Sequence, residues 1–146
     1  MELIYIFYAL LVSFLWGILA IFQKIFLKRI DYITFMCIFG LMYCFMIICY
    51  ILYNKTQFFS DIKKIKLITY FWIFISVLFG LFISNILYFY LLKHNEPSVV
   101  VAITFSAPLF TLLGAYFLLE EKIHTYGVLG VLFIVFGIIL ISMNKE

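Results

Sequence analysis

The sequence predicts an all-α, polytopic membrane protein with five transmembrane helices. Three observations carry that prediction. Apolar residues make up 68% of the 146-residue chain and charged ones only 12%, too apolar a balance for a soluble domain of this size to cover. The apolar residues fall into five long, nearly continuous runs: Leu3–Leu27, Ile33–Tyr53, Leu67–Leu92, Ser98–Leu119 and Tyr126–Met143. Runs of about 18 or more read as membrane spans. Finally, no series of short alternating segments suggests a β-barrel, and backbone groups in lipid must be satisfied within the segment, so these spans are helices.

The first run is kept as a span. It has no basic leader (Glu2 is acidic), exceeds the length of a signal-peptide core and lacks a clear small-residue cleavage site. Ser13, Gly17, Ala20 and Lys24 recur at helical spacings on one face, with Trp16 beside it. Lys24 lies near the end of its run. Its stem can carry the ammonium to the interface as an anchor, or the charge can face a vestibule and attract anionic groups.

The second run is rich in Met, Phe, Cys and Tyr, with Gly40 its one glycine. Tyr50 and Tyr53 suit interfacial anchors, and Tyr43 either packs or faces a cavity. Cys37, Cys44 and Cys49 have no metal spacing and read as small apolar packing residues. A basic connection, Asn54–Lys66, follows.

In the third run Ser76, Gly80, Ser84 and Tyr88 recur every fourth residue, with Asn85 alongside. The small residues are expected at a helix–helix contact. The amide of Asn85 needs a polar partner and should face the bundle; with Ser84 and Tyr88 it either lines a cavity or serves structure. In the fourth run Ala107, Thr111 and Ala115 form a similar stripe. Pro108 removes the helical donor for the Thr104 carbonyl. Broken helices in transporters place such backbone groups at the substrate site, and Thr104, Ser106 and Thr111 surround the position. The alternative is a kink that only shapes packing. The fifth run carries Gly127, Gly130 and Gly137, read as helix packing.

Lys and Arg do not choose an orientation. Five spans place Lys55, Lys63, Lys64, Lys66 and Lys122 on one side of the membrane, and Lys24, Lys28, Arg29, Lys93 and Lys145 on the other. With five on each side the usual cytoplasmic excess is missing. Either the dense cluster Lys63-Lys64-Lys66 decides, or the chain inserts both ways and pairs head-to-tail with itself, as inverted repeats do in larger transporters.

Several functions are disfavoured. The net charge of +3 is small and sits in loops, so no nucleic-acid surface is implied. His94 and His124 lie in different loops, so no metal site is expected. No nucleophile–base pair or phosphate loop appears, so no catalytic residue and no cofactor is assigned. Every acid (Glu2, Asp31, Asp61, Glu96, Glu120, Glu121 and Glu146) falls outside the spans, which leaves no carboxylate relay within the membrane.

The order of these features is similar to the EamA-type unit of the drug/metabolite transporter superfamily. The residues that carry the resemblance are Phe14-Leu15-Trp16-Gly17 with Lys24 in the first helix, Asn95-Glu96-Pro97-Ser98 opening the fourth, Pro108 within it, Glu120-Glu121-Lys122 at the next corner and the glycines of the fifth. The resemblance covers essentially the whole chain, is strongest from Tyr88 to Ile141 and is weak in the second helix. Related exporters of the small multidrug resistance type carry a glutamate in helix one, and this chain has none. EamA-type units usually come in pairs around a central cavity. The resemblance therefore implies one five-helix domain, residues 1–146, working as a homodimer, parallel or antiparallel, in the cell (inner) membrane, in contact with membrane lipid. It implies carriage of a small metabolite or drug-like solute. The candidate residues on helices one, three and four are expected to line the cavity, and helix five to be scaffold or dimer contact. The alternatives are a lipid-linked sugar flippase or its subunit, and a non-transporting membrane partner.

Overall fold

The computed structural model describes residues 3–122 and 124–143, so Glu2, Lys145 and Glu146, three of the charges weighed above, lie outside it. Within the described residues the chain is all-α. Four helical stretches are long and apolar enough to cross a bilayer: Leu3–Leu27 (α1), Tyr32–Tyr53 (α2), Leu67–His94 and Pro97–Leu118. A fifth apolar helix, Thr125–Met143 (α8), has 19 residues. At 1.5 Å per residue it reaches about 28 Å, close to the hydrocarbon thickness. The expected spans are all present, with ends shifted by one or two residues.

Two spans are interrupted, and each interruption has a local cause. Leu67–His94 runs as α4 (Leu67–Val77), a π-helical segment (Leu78–Ile83) and α5 (Ser84–His94). Wider π turns displace backbone carbonyls from the α pattern, and here side chains one turn on reach back to them. Ser84 Oγ donates to Gly80 O at 2.5 Å and Asn85 Nδ2 to Leu81 O at 2.6 Å. Pro97–Leu118 divides into α6 (Pro97–Thr104) and α7 (Ala107–Leu118). Pro108 has no N–H to return to Thr104 O, and the chain tightens there: Ser106 N donates to Ile103 O at 3.1 Å and Leu109 N to Ser106 O at 2.9 Å. The connection Asn54–Lys66, read from sequence only as a basic loop, holds an additional helix, α3 (Lys55–Ile62).

The chain forms two compact units. The first comprises the described residues of Met1–Phe22 and Asn95–Glu146. In it α6 and α7 pack on α8, Ala20 and Val100 are buried, and Trp16 meets Phe105 with ring centroids 6.0 Å apart. Glu120 closes α7 with φ 53°, a left-handed conformation uncommon for a residue with a Cβ. Ala115 O accepts from both Leu119 N and Glu121 N at that end.

The second unit is Gln23–His94. Here α2 packs on α5. Phe35 and Phe89 meet edge to face at 5.2 Å, and Phe39 contacts both. Phe89 and Leu92 are 1% and 0% exposed, and Leu27 is buried as well. Cys37, Cys44 and Cys49, expected as packing residues, are exposed instead. Lipid is as apolar as a helix neighbour, so nothing drives a small apolar side chain out of it.

Candidate functional site

The ten residues expected to line a substrate cavity divide between the units. Ser13, Trp16, Gly17, Thr104, Pro108 and Thr111 belong to the first, and Lys24, Ser84, Asn85 and Tyr88 to the second. In the first unit the site is the break between α6 and α7. Pro108 occupies the first turn of α7, where a missing N–H costs least. The Trp16–Phe105 ring contact brings α1 to that break. Thr104 turns its hydroxyl back on its own helix, Oγ1 donating to Val100 O at 2.9 Å and Val101 O at 3.1 Å. Ser13 and Thr111 are exposed, and Gly17 is half-buried with open space where a Cβ would stand. A notched helix with hydroxyls and an indole near it can offer a solute both hydrogen bonds and a stacking face.

In the second unit the candidate groups follow the π-helical segment. Asn85 and Tyr88 are half-buried and Ser84 is exposed. The Ser84 hydroxyl and the Asn85 amide nitrogen bond to backbone carbonyls, which favours the structural reading of these donors. The carbonyl oxygen of Asn85 is the acceptor that remains to it. Ser76 behaves like Ser84, its hydroxyl donating to Trp72 O at 2.9 Å.

Lys24 sits at the end of this unit, and its ammonium has a defined role there. Nζ donates to Leu92 O at 2.7 Å and to Lys93 O at 2.9 Å, closing the last turn of α5. Carbonyls at a helix C-terminus lack intrahelical donors and carry partial negative charge, so a cation is the natural partner. Beside this cap Lys93 pairs with Asp31 at 2.9 Å and lies 5.9 Å from the Tyr32 ring. Asp31 also accepts from Ile33 N at 3.1 Å, capping α2. The hydrogen bond from Lys93, and then that from the Ile33 N–H, hold the Asp31 carboxyl below the ordinary carboxylate value.

Gln23, absent from the expected site, is 5% exposed and the most buried polar side chain among the described residues. Its position inside a span was the available signal, masked by the stronger charge of Lys24 next to it. No buried side-chain nitrogen or oxygen among the described residues lacks a partner. No group of three or more His, Cys, Asp or Glu gathers among the described residues.

The small-residue positions expected to pack leave space around them within their own unit. A Cβ built at Gly80, Gly127, Gly130 or Gly137 meets nothing within 4 Å. Ala107 is exposed and Ala115 half-buried.

Searches of curated proteins and of solved structures give no significant match. The model of the EamA-like transporter family matches residues 3–143, which takes in both interrupted spans and every candidate site residue. A multi-pass, integral membrane protein with this match over nearly its full length belongs to the EamA-like transporter family.

Proposed function

We propose that this chain carries a small polar or amphipathic solute, such as an amino acid or a drug-like compound, across the cell membrane as a homodimer of single five-helix domains. The observation that supports carriage most directly is the position of the two interruptions. The π-helical segment Leu78–Ile83 lies midway along Leu67–His94, and the break at Phe105–Ser106 lies midway along Pro97–Leu118. Interrupted helices at half-depth are the usual place for solute contacts in carriers. Ser13, Trp16, Thr104 and Thr111 supply such contacts in one unit, and Asn85 and Tyr88 in the other. With no acid inside a span, exchange or facilitated diffusion suits the chain better than a carboxylate proton relay.

Dimerisation is supported by what the single chain leaves open. The best apolar windows of the four long spans are 0–6% buried, and a Cβ built at Gly127, Gly130 or Gly137 of α8 meets no atom within 4 Å. Close backbone approach at small residues is how membrane helices associate. An antiparallel pair agrees with the even division of Lys and Arg.

The test is counterflow in liposomes holding purified protein, run against a panel of amino acids and lipophilic cations, with cross-linking of the same preparation. At least one solute should exchange above protein-free liposomes. Asn85→Leu and Thr111→Val should each lower that flux about tenfold or more, the scale of one lost hydrogen bond to a bound polar group, and Thr111→Val should do so without changing the melting temperature. A two-chain species should be cross-linked. Absence of flux for every solute, or full flux from singly occupied nanodisc-derived vesicles, would refute carriage or the dimer respectively.

A further inference from the structure

The segment between α2 and α4 holds a feature that solute carriage does not use. Helix α3 and the residues after it carry Lys55, Lys63, Lys64 and Lys66 against a single acid, Asp61. Asp61 is already paired with Lys64 at 3.1 Å. The other three lysines are exposed and make no ion pair among the described residues. On one side of α3 lies a cleft of about 320 Å³, mainly apolar, lined by Tyr50, Ile51, Phe58, Ile62 and Ile65 together with the polar Asn54, Gln57 and Asp61. Lys55, Lys63 and Lys66 directly follow the cleft-lining residues Asn54, Ile62 and Ile65 in sequence, so positive charge lies on the same short segment as the cleft. Phe59, 58% exposed, stands one helical turn from Lys55 and one from Lys63. Tyr70 Oη donates to Ile62 O at 3.2 Å and fixes the end of α3 to the start of the next span.

We propose that this segment is a binding site for an anionic phospholipid. The headgroup phosphate is held by Lys55, Lys63 and Lys66, an acyl chain enters the cleft, and Phe59 seats α3 in the interface. Each part has a physical basis. A short helix with aromatic and basic residues next to a span lies in the headgroup region. Clustered lysines at the membrane surface attract anionic lipid. The apolar slot selects a lipid over a soluble phosphate, because only the lipid brings a chain to fill it.

Native mass spectrometry of the full chain in mild detergent tests this, titrating phosphatidylglycerol against phosphatidylcholine with identical acyl chains. The wild type should bind the first phosphatidylglycerol about tenfold more tightly or better, within the roughly fivefold per lysine that surface attraction allows. The variant Lys55→Gln/Lys63→Gln/Lys66→Gln should bind the two lipids equally. The variant Lys28→Gln/Arg29→Gln, which removes charge from a different loop, should keep the preference. Glycerol phosphate at the same concentration should not displace the lipid. Equal binding of the two lipids by the wild type would overturn the proposal, and that measurement needs no variant to fold. So would a preference that survives the triple substitution, one lost equally in the control variant, or displacement by glycerol phosphate.

Discussion

The two units of this molecule hold themselves together in different ways. In Gln23–His94 one end is fastened by directed contacts: the Lys24 cap, the Asp31–Lys93 pair and the aromatic cluster of Phe35, Phe39 and Phe89. Five of the buried residues, Gln23, Leu27, Phe35, Phe89 and Leu92, belong to it. The other unit has Ala20 and Val100 buried, a broken span and glycines facing open space. The contrast shows where a membrane protein of this size gains stability. Apolar burial alone contributes little in lipid, so shape-specific packing and polar contacts at the helix ends carry the fold.

The largest expected effect tests that contrast directly. Phe89→Ala should destabilise the protein by about 2 kcal/mol, less than the roughly 3–5 typical of a water-soluble core because lipid removes the transfer part and leaves the cavity part. Phe133→Ala, at a position 75% exposed on α8, should stay within about 0.5 kcal/mol. Unfolding in mixed micelles of increasing denaturing detergent measures both. A Phe133→Ala cost as large as that of Phe89→Ala would mean that α8 is packed in the working assembly, and the difference between the units would belong to the isolated chain only.

Lys24 gives the next largest effect. Lys24→Met removes two charge-assisted bonds to the end of α5 and should cost about 1–2 kcal/mol, the lower part of the range because the side chain is only half-buried. The same substitution separates cap from vestibule. A cap lowers the melting temperature with little change in flux per folded protein. A vestibule cation lowers flux, most for anionic solutes, and leaves melting unchanged.

Much of this architecture is legible in the amino-acid sequence. The spans can be read because lipid permits so few backbone solutions. The break at Phe105–Ser106 can be read because Pro108 removes a specific donor. The π-helical segment cannot: Ser76, Gly80 and Ser84 fit a packing stripe equally well, and the bonds from Ser84 and Asn85 to Gly80 and Leu81 emerge only from the backbone path. Helix α3 is hidden by its shortness and charge. The partner of Lys24 is out of reach for another reason. Its bonds join residues 68 and 69 positions apart, and no local periodicity encodes such a pairing. At the candidate site, the residue types can be chosen from sequence, but their division between two units cannot.

The smallest effect concerns the exposed pair at the fastened end. Asp31 is ionised with its carboxyl held below the ordinary value of 3.8 by the Lys93 hydrogen bond and the Ile33 N–H. A group whose folded pKa is lowered binds its proton more readily when unfolded, so its contribution is fully present above the unfolded value and is lost as pH falls through the folded one. The melting-temperature difference between wild type and Asp31→Asn should therefore be constant above about pH 5 and shrink progressively below pH 3.8. Salt should reduce the same difference at neutral pH, because both partners reach solvent. Asp31→Asn keeps a side-chain oxygen for the Ile33 N–H, so what disappears is the ionic part. A difference that is flat from neutral pH to about pH 3 would show that Asp31 acts through capping α2 alone, and the fastening of this end would then rest on Lys24 and the aromatic cluster.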